Sequence, residues 1–317
     1  MSVDCSYPSE RSTGYTHRLY AESQSVLGRP RRLDRCGAWV LVRPVPGTPY
    51  RDAVGCYPMF ACQNWSHLGA ELDSVGGNWV SLTLVTDPFG AYDEPMLQKI
   101  FDRCVLFKIH HVVDLSGDWE ALISGHHRRN ARRGARQVQV QRCANPMDHL
   151  DQWHHLYTQL VHRHQIRGVG TFGREAFACQ LQTPGVELYR AWVGDQTVGM
   201  TLWYVQADRA YYHLAAYTHE GYGLRASYAL FDHVLHDLAD RGIQQVELGA
   251  GAGRTGDDSD GLNRFKRGWA TDRRPVYLCG RVFQPDVYQA LSAAAGTQSA
   301  DYFPAYRSGE VLERASA

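Results

Sequence analysis

Three strand-like segments in close succession constrain this chain most. Residues 186–193, 197–205 and 210–217 are rich in apolar, aromatic and β-branched side chains, and the turns Gly194-Asp195 and Asp208-Arg209 separate them. Gaps this short force neighbouring strands to run antiparallel, so the segment is a meander. The next stretch carries Leu224, Tyr228, Phe231, Leu235 and Leu238 at steps of three and four. That spacing makes one apolar stripe and predicts a helix lying on the meander, ended by Gly242. A strand is predicted over 244–248, then a glycine-rich loop, a short helix over 260–269 and a last strand over 275–282. Ahead of the meander, residues 147–164 and 174–181 read as helices. Periodicity alone therefore gives an α/β or α+β class.

The first half is less regular. Residues 38–42 are apolar, a strand over 78–86 ends at Asp87-Pro88, a short helix covers 94–101 and a strand 105–115. Asp118 is expected to cap a helix over 119–133 that stops at Gly134, and 137–141 alternates like a strand. This shorter alternation resembles a degenerate copy of the second half. The expected organisation is an N-terminal arm (1–35), read as a loose arm or an early helix, a degenerate domain (36–145) and a catalytic domain (146–317). Positive and negative side chains balance to a formal net charge of zero, so attraction to nucleic acid must come from a local patch. Eight scattered cysteines with no CxxC pair argue against a disulfide framework or a zinc site, and for free thiols in a reducing cytosol. With no apolar leader and no apolar run of spanning length, a cytoplasmic chain with no membrane partner and no metal is expected.

Four motifs bear on chemistry. Val246-Glu247-Leu248-Gly249-Ala250-Gly251-Ala252-Gly253 imitates a methyltransferase or dinucleotide loop. The polar run Arg254-Thr255-Gly256-Asp257-Asp258 comes next, however, with too little chain beyond it for a nucleotide-binding sheet. Gly221-Tyr222-Gly223 stands at the start of the long helix, where free amide groups suit an anion; the bland reading is a tight turn before a core helix. In the run from Gly261 to Trp269, Leu262, Phe265 and Trp269 are expected to share a buried stripe, with Lys266 at its edge leaning into a cleft or simply solvated. Finally, residues 126–136 hold Arg128, Arg129, Arg132, Arg133 and Arg136 without one acid. Like charges so close repel, and phosphates relieve that repulsion; otherwise this is a solvated face.

Together, Arg128-Arg129-Asn130-xx-Arg133, Tyr211-Tyr212-His213-Leu214-Ala215-Ala216 and Gly261 with Arg264-Phe265-Lys266-Arg267-Gly268 resemble the Fem-like branch of the GNAT superfamily. The resemblance covers about residues 80–290. It implies an α+β fold of two tandem GNAT-like domains and an aminoacyltransferase that takes its amino acid from aminoacyl-tRNA and places it on an amine. It places Lys266 and Phe265 in the donor channel as catalytic candidates, and Arg128, Arg129, Arg132, Arg133, Arg264 and Arg267 on tRNA. Arg163 or Arg167, with Tyr212 and His213, would touch the acceptor. No heptad run reads as the coiled-coil arm of cell-wall members. The arm-free form resembles members that serve peptide natural-product assembly, of the kind found in pacidamycin-type antibiotic biosynthesis. The acceptor would then be a small peptide or peptidyl-nucleoside, free or carrier-bound.

An aminoacyl ester is already activated, and an α-amine with a pKa of about 7.7–8.0 is partly neutral near pH 7. Orientation and charge stabilisation therefore matter more than a strong base, and no cofactor is expected besides aminoacyl-tRNA as co-substrate. Tyr212, His213 and Glu247 are candidate proton shuttles, and Lys266 a candidate oxyanion partner. The rival enzyme is an acyl-CoA-dependent N-acyltransferase that places pyrophosphate on Gly221, Tyr222 and Gly223. A binding-only RNA module is the third reading.

Overall fold

The computed structural model describes residues 12–166, 168–251 and 260–310. In the first half, α1 (Arg18–Glu22) precedes an antiparallel meander of β1 (Arg29–Leu33), β2 (Ala38–Pro44) and β3 (Arg51–Gly55). Helix α2 (Leu68–Val75) then leads to β4 (Ser81–Val85), parallel to β3, and α3 (Glu94–Ile100) leads to β5 (Arg103–Asp114). Next come α4 (Trp119–Leu122), α5 (Gly125–Gly134), β6 (Gln139–Arg142), α6 (Leu150–His164) and α7 (Arg174–Gln182). The second half repeats the order. Its meander is β7 (Val186–Val193), β8 (Gln196–Gln206) and β9 (Arg209–Tyr217), with α8 (His219–Gly223) and α9 (Ala226–Asp240) after it. Then β10 (Gln245–Gly249) lies parallel to β9, and α10 (Gly261–Trp269), β11 (Asp272–Val282) and α11 (Pro285–Ala294) finish the pattern.

All these strands join one sheet in the order β1-β2-β3-β4-β11-β5-β10-β9-β8-β7-β6. The halves are fused by exchange of their last strands. β5 leaves the first half and pairs antiparallel with β10, while β11 leaves the second half and pairs antiparallel with β4. The two exchanged strands also pair with each other along almost their whole length, from Asp272↔Val112 to Gly280↔Arg103. The expected tandem GNAT-like α+β architecture is thus present, built on one continuous sheet.

Four apolar clusters fill it. α9 lays Phe231, Val234, Leu235 and Leu238 on Val113, Val246 and Leu248. α6 and α7 cover Leu188, Met200 and Leu202 on the other face. Leu33, Trp65, Leu72 and Trp79 centre the first half. A fourth cluster, with Tyr15, Tyr20, Phe89, Val112, Tyr204 and Tyr211, binds the N-terminal segment to both halves.

Several expectations need correction. Of the two readings of the N-terminal segment, the described part fits the early helix, α1, and not the loose arm: Tyr15 and Tyr20 are buried, and the strand Arg29-Pro30-Arg31-Arg32-Leu33, not expected there, is the outermost of the first half. An edge strand tolerates proline and charge, which hides it from a reading that looks for apolar alternation. The helix expected over 119–133 is broken. Ile123 and Ser124 are extended; the Ser124 hydroxyl accepts from the His127 amide, and the Ser124 amide donates to the Gly268 carbonyl at 3.0 Å. The chain bends there to meet α10, and Asp118 makes no side-chain cap. Residues 252–259, which hold most of the glycine-rich loop, and Arg167 lie outside the described residues. Among the described residues, no helix is long and apolar enough to cross a membrane, and α6 and α9, of 15 residues each, are too short for a coiled-coil arm.

Candidate active site at the fork between two parallel strands

β9 and β10 stay paired only at Gln245↔Arg209, Val246↔Ala210 and Glu247↔Tyr211. β9 then runs on to Tyr217, whereas β10 stops at Gly249. Gly249 takes φ +78°, a left-handed conformation that glycine adopts freely, and the ladder to β5 shifts register beside it. A fork opens where the two strands part.

Lys266 reaches into this fork from α10. Its side chain is 7% exposed, so of the two expected readings it is the one leaning inward and not the solvated one, while Leu262, expected in the buried stripe, is 39% exposed. Its Nζ donates to the Ala250 carbonyl at 2.7 Å and stands 5.4 Å from the centre of the Tyr212 ring. Burial pulls this ammonium down to about 8; Glu247 and Asp260 push it up, and Lys108 pushes it further down. A Cβ on Gly249 would sit 2.8 Å from Lys266 Nζ and 3.6 Å from Glu247 Oε1, so both groups converge on the one residue with no side chain. Glu247 is fully buried, and its Oε1 lies 2.7 Å from Nδ1 of His110, which arrives on β5. One β5 residue further, His111 Nε2 lies 2.8 Å from the Asn263 side-chain oxygen and must donate to it. Burial lowers the pKa of that imidazole, and the bond to Asn263 opposes the shift.

The remaining candidates divide. Tyr212 and His213 point to opposite faces of β9. Tyr212 joins Lys266, Trp203 and Phe231, and burial raises its phenol. His213 faces Tyr15, whose hydroxyl lies 3.1 Å from Nδ1, and burial pulls this imidazole down to about 3. Phe265 is half-buried against Phe231 and Tyr228, with ring centres at 4.8 and 5.1 Å. Arg163 stacks over Tyr222 at 5.3 Å and donates to the Tyr217 carbonyl, where β9 ends. Gly221, Tyr222 and Gly223 lie in α8, not at the start of α9. There the Gly221 amide donates to Thr218 Oγ1, and the Tyr222 and Leu224 amides donate to the Thr218 and Glu220 carbonyls. Gly221 also presses on β8, since a Cβ would lie 2.0 Å from the Val198 carbonyl.

The arginines gather on the outer side. Arg128, Arg129, Arg132 and Arg133 are all exposed on α5, though Arg128 also donates to the Glu120 carbonyl at 3.0 Å. Between the N-terminus of α5 and α10 lies a groove of about 520 Å³, with His126, Tyr228, Arg264 and Arg267 in its wall. His127 holds the two helices together. Its Nε2 donates to the Phe265 carbonyl at 2.9 Å, which leaves Nδ1 to accept from the Ser124 hydroxyl at 2.7 Å. Burial pulls its pKa down to about 4, so it stays neutral and keeps both bonds at neutral pH. Sequence reasoning misses Lys108, His110 and His127. A His-His pair on a strand and another on a helix carry no local sign of what they will face.

Residues 125–267 match the family model described as an acetyltransferase (GNAT) domain. No curated protein sequence matches the chain. Among solved structures, FemX is similar with TM-score 0.67 and 14% identity, over 90% of this chain and 95% of that one. The C-terminal domain (DUF2156) of a protein assigned as a lysylphosphatidylglycerol synthetase from Agrobacterium fabrum is similar with TM-score 0.62 and 14% identity, over 90% and 92% of the two chains. L-PGS from Bacillus licheniformis is similar at TM-score 0.55 and 13% identity, over 85% and 93%. At these identities the likeness concerns the fold, and the fold of this chain is a GNAT-like α+β one on a large mixed sheet.

Proposed function

We propose that this chain transfers an aminoacyl group from aminoacyl-tRNA to the amine of a small peptide or peptidyl-nucleoside. The observation that carries the reading is the groove between α5 and α10, with two arginines, histidines and Tyr228 in its wall and four exposed arginines on α5 beside it. Cations track phosphates, and an aromatic face stacks a base of a single-stranded end. The acyl-CoA alternative draws on the glycine turn, but the Gly221, Tyr222 and Leu224 amides already have protein acceptors. The resemblance to the Fem-like branch supports the same donor.

The chemistry is aminolysis. The neutral amine attacks the ester carbonyl carbon, a C–N bond forms and the C–O bond to the ribose breaks. The proton lost by the amine ends on the departing ribose oxygen. Lys266, fixed by the Ala250 carbonyl at the fork, stabilises the charge that develops on the carbonyl oxygen. Arg163, beside Tyr217 and Tyr222, serves an acidic group of the acceptor.

The arginines give a direct test. Replacing Arg129 and Arg133 together by alanine weakens tRNA binding and flattens its salt dependence. Each phosphate that is no longer neutralised lowers the slope of log K against log salt by roughly 0.7–0.9. Fluorescence anisotropy of labelled tRNA across a salt series reads the slope, and an unchanged slope makes the ridge a solvated face.

A further inference from the structure

The chain has only three lysines, Lys99, Lys108 and Lys266, against thirty arginines. Two of the three meet at the end of β10. Lys266 Nζ donates to the Ala250 carbonyl at 2.7 Å and Lys108 Nζ to the next carbonyl, Gly251, at 3.2 Å. They come from opposite halves of the sequence, because Lys108 lies on the exchanged strand β5. The same strand, two residues on, delivers His110 to Glu247. An arginine keeps its charge at any pH a protein meets, whereas a buried lysine does not. Two of its three lysines therefore stand where burial bears on a cation that, unlike arginine, can lose its charge.

We propose that strand β5 supplies two positioning residues to the transfer site: His110 holds the Glu247 carboxylate beside Lys266, Lys108 opposes it, and together they set the charge on Lys266. His110 fixes the carboxylate through one oxygen at 2.7 Å, and Gly249 leaves no side chain between carboxylate and ammonium. Among the described residues, the charged and titratable groups facing Lys266 are Glu247 and, behind it, His110; Lys108; Asp260 at the start of its own helix; and His111, which Asn263 holds. The Tyr212 ring centre stands 5.4 Å from Lys266 Nζ. Burial favours loss of the proton, Glu247 and Asp260 oppose that loss, and Lys108 favours it. Lys266 therefore passes from ammonium to amine just above neutral pH. The exchange of strands becomes functional in this view, since the first half tunes the group on which the second half's chemistry depends. The inference rests on the acyl-transfer reading for its purpose but not for its test.

Three lysines make the test direct. With ¹³C- and ¹⁵N-labelled lysine, the side-chain signals resolve by NMR, and Lys266→Arg assigns the one that disappears. The wild-type Lys266 signal titrates near 8. Glu247→Gln moves that midpoint to lower pH by about one unit or more, and Lys108→Met moves it to higher pH by a similar amount, the size of one nearby charge. A structural defect does not move one group in opposite directions in two variants. A midpoint that stays put in both, or a wild-type midpoint at the ordinary lysine value of about 10.4, overturns the proposal. If Glu247→Gln fails to fold by circular dichroism, the Lys108→Met shift decides alone: a rise supports the proposal and no change ends it. The titration needs no donor. Expected shifts without RNA-dependent transfer would retire the functional reading and leave this inference standing; established transfer with an unmoved midpoint would do the reverse.

Discussion

Lys266→Ala lowers kcat by about 10²–10³, or about 2.7–4 kcal/mol of transition-state stabilisation, with the fold intact. Lys266 Nζ donates one hydrogen bond to the Ala250 carbonyl. An ammonium has three donors, so it keeps the capacity to meet an oxygen that gains charge during the reaction. Such a contact is made mainly in the transition state, so its removal falls on kcat. A lysine that merely grips the donor would raise KM and spare kcat. Lys266→Arg separates the two further. The space about Nζ is tight, since even a Cβ on Gly249 would lie 2.8 Å from it, and a planar guanidinium fits it poorly. Steady-state kinetics with circular dichroism and a thermal melt decide the matter. Unchanged kcat and KM in Lys266→Ala would remove this residue from the mechanism.

Asp52→Ala destabilises the fold by about 3–5 kcal/mol, read by urea unfolding. Asp52 on β3 is fully buried and accepts from the guanidinium of Arg307, from Arg43 Nε at 3.1 Å and from the Tyr306 hydroxyl at 3.1 Å. Arg307 is 5% exposed and also donates to the Pro44 carbonyl at 2.7 Å. Removing the carboxylate leaves a buried cation short of its main counter-charge, and that desolvation sets the size of the effect. Because Arg307 lies beyond β11 and α11 in the chain, the pair fastens the C-terminal segment to the first half. Hydrogen exchange in residues 300–310 should therefore rise in the variant. A destabilisation under about 1 kcal/mol would mean that water and the Glu310 carboxylate, which Arg307 already meets at 2.9 Å, suffice for the cation, as in surface pairs.

How far the fold is legible in the sequence depends on how local its causes are. β7, β8 and β9 and helix α9 are readable because two-residue turns and a stripe of Phe231, Leu235 and Leu238 act within a few residues. β1 is not, since an edge strand of arginine and proline has no alternation to read. The break at Ser124 depends on the Gly268 carbonyl, distant in sequence, so helix periodicity cannot contain it. The exchange of β5 and β11 is a choice between two equivalent partners, and no single strand's sequence records it. The same limit applies at the fork. Family resemblance points to Lys266 and to Tyr212, but Lys108 and His110 lie in a strand that reads as part of the other domain. Topology alone brings them to Glu247 and Lys266.

The nature of the donor tests the account most directly. Purified protein is incubated with an amine acceptor and either charged tRNA or a panel of acyl-CoAs, and product mass is the readout. The account predicts an aminoacyl increment on the acceptor with charged tRNA, lost when RNase treats the donor first, and no increment with acyl-CoA. Full turnover with an acyl-CoA in the absence of RNA would contradict it.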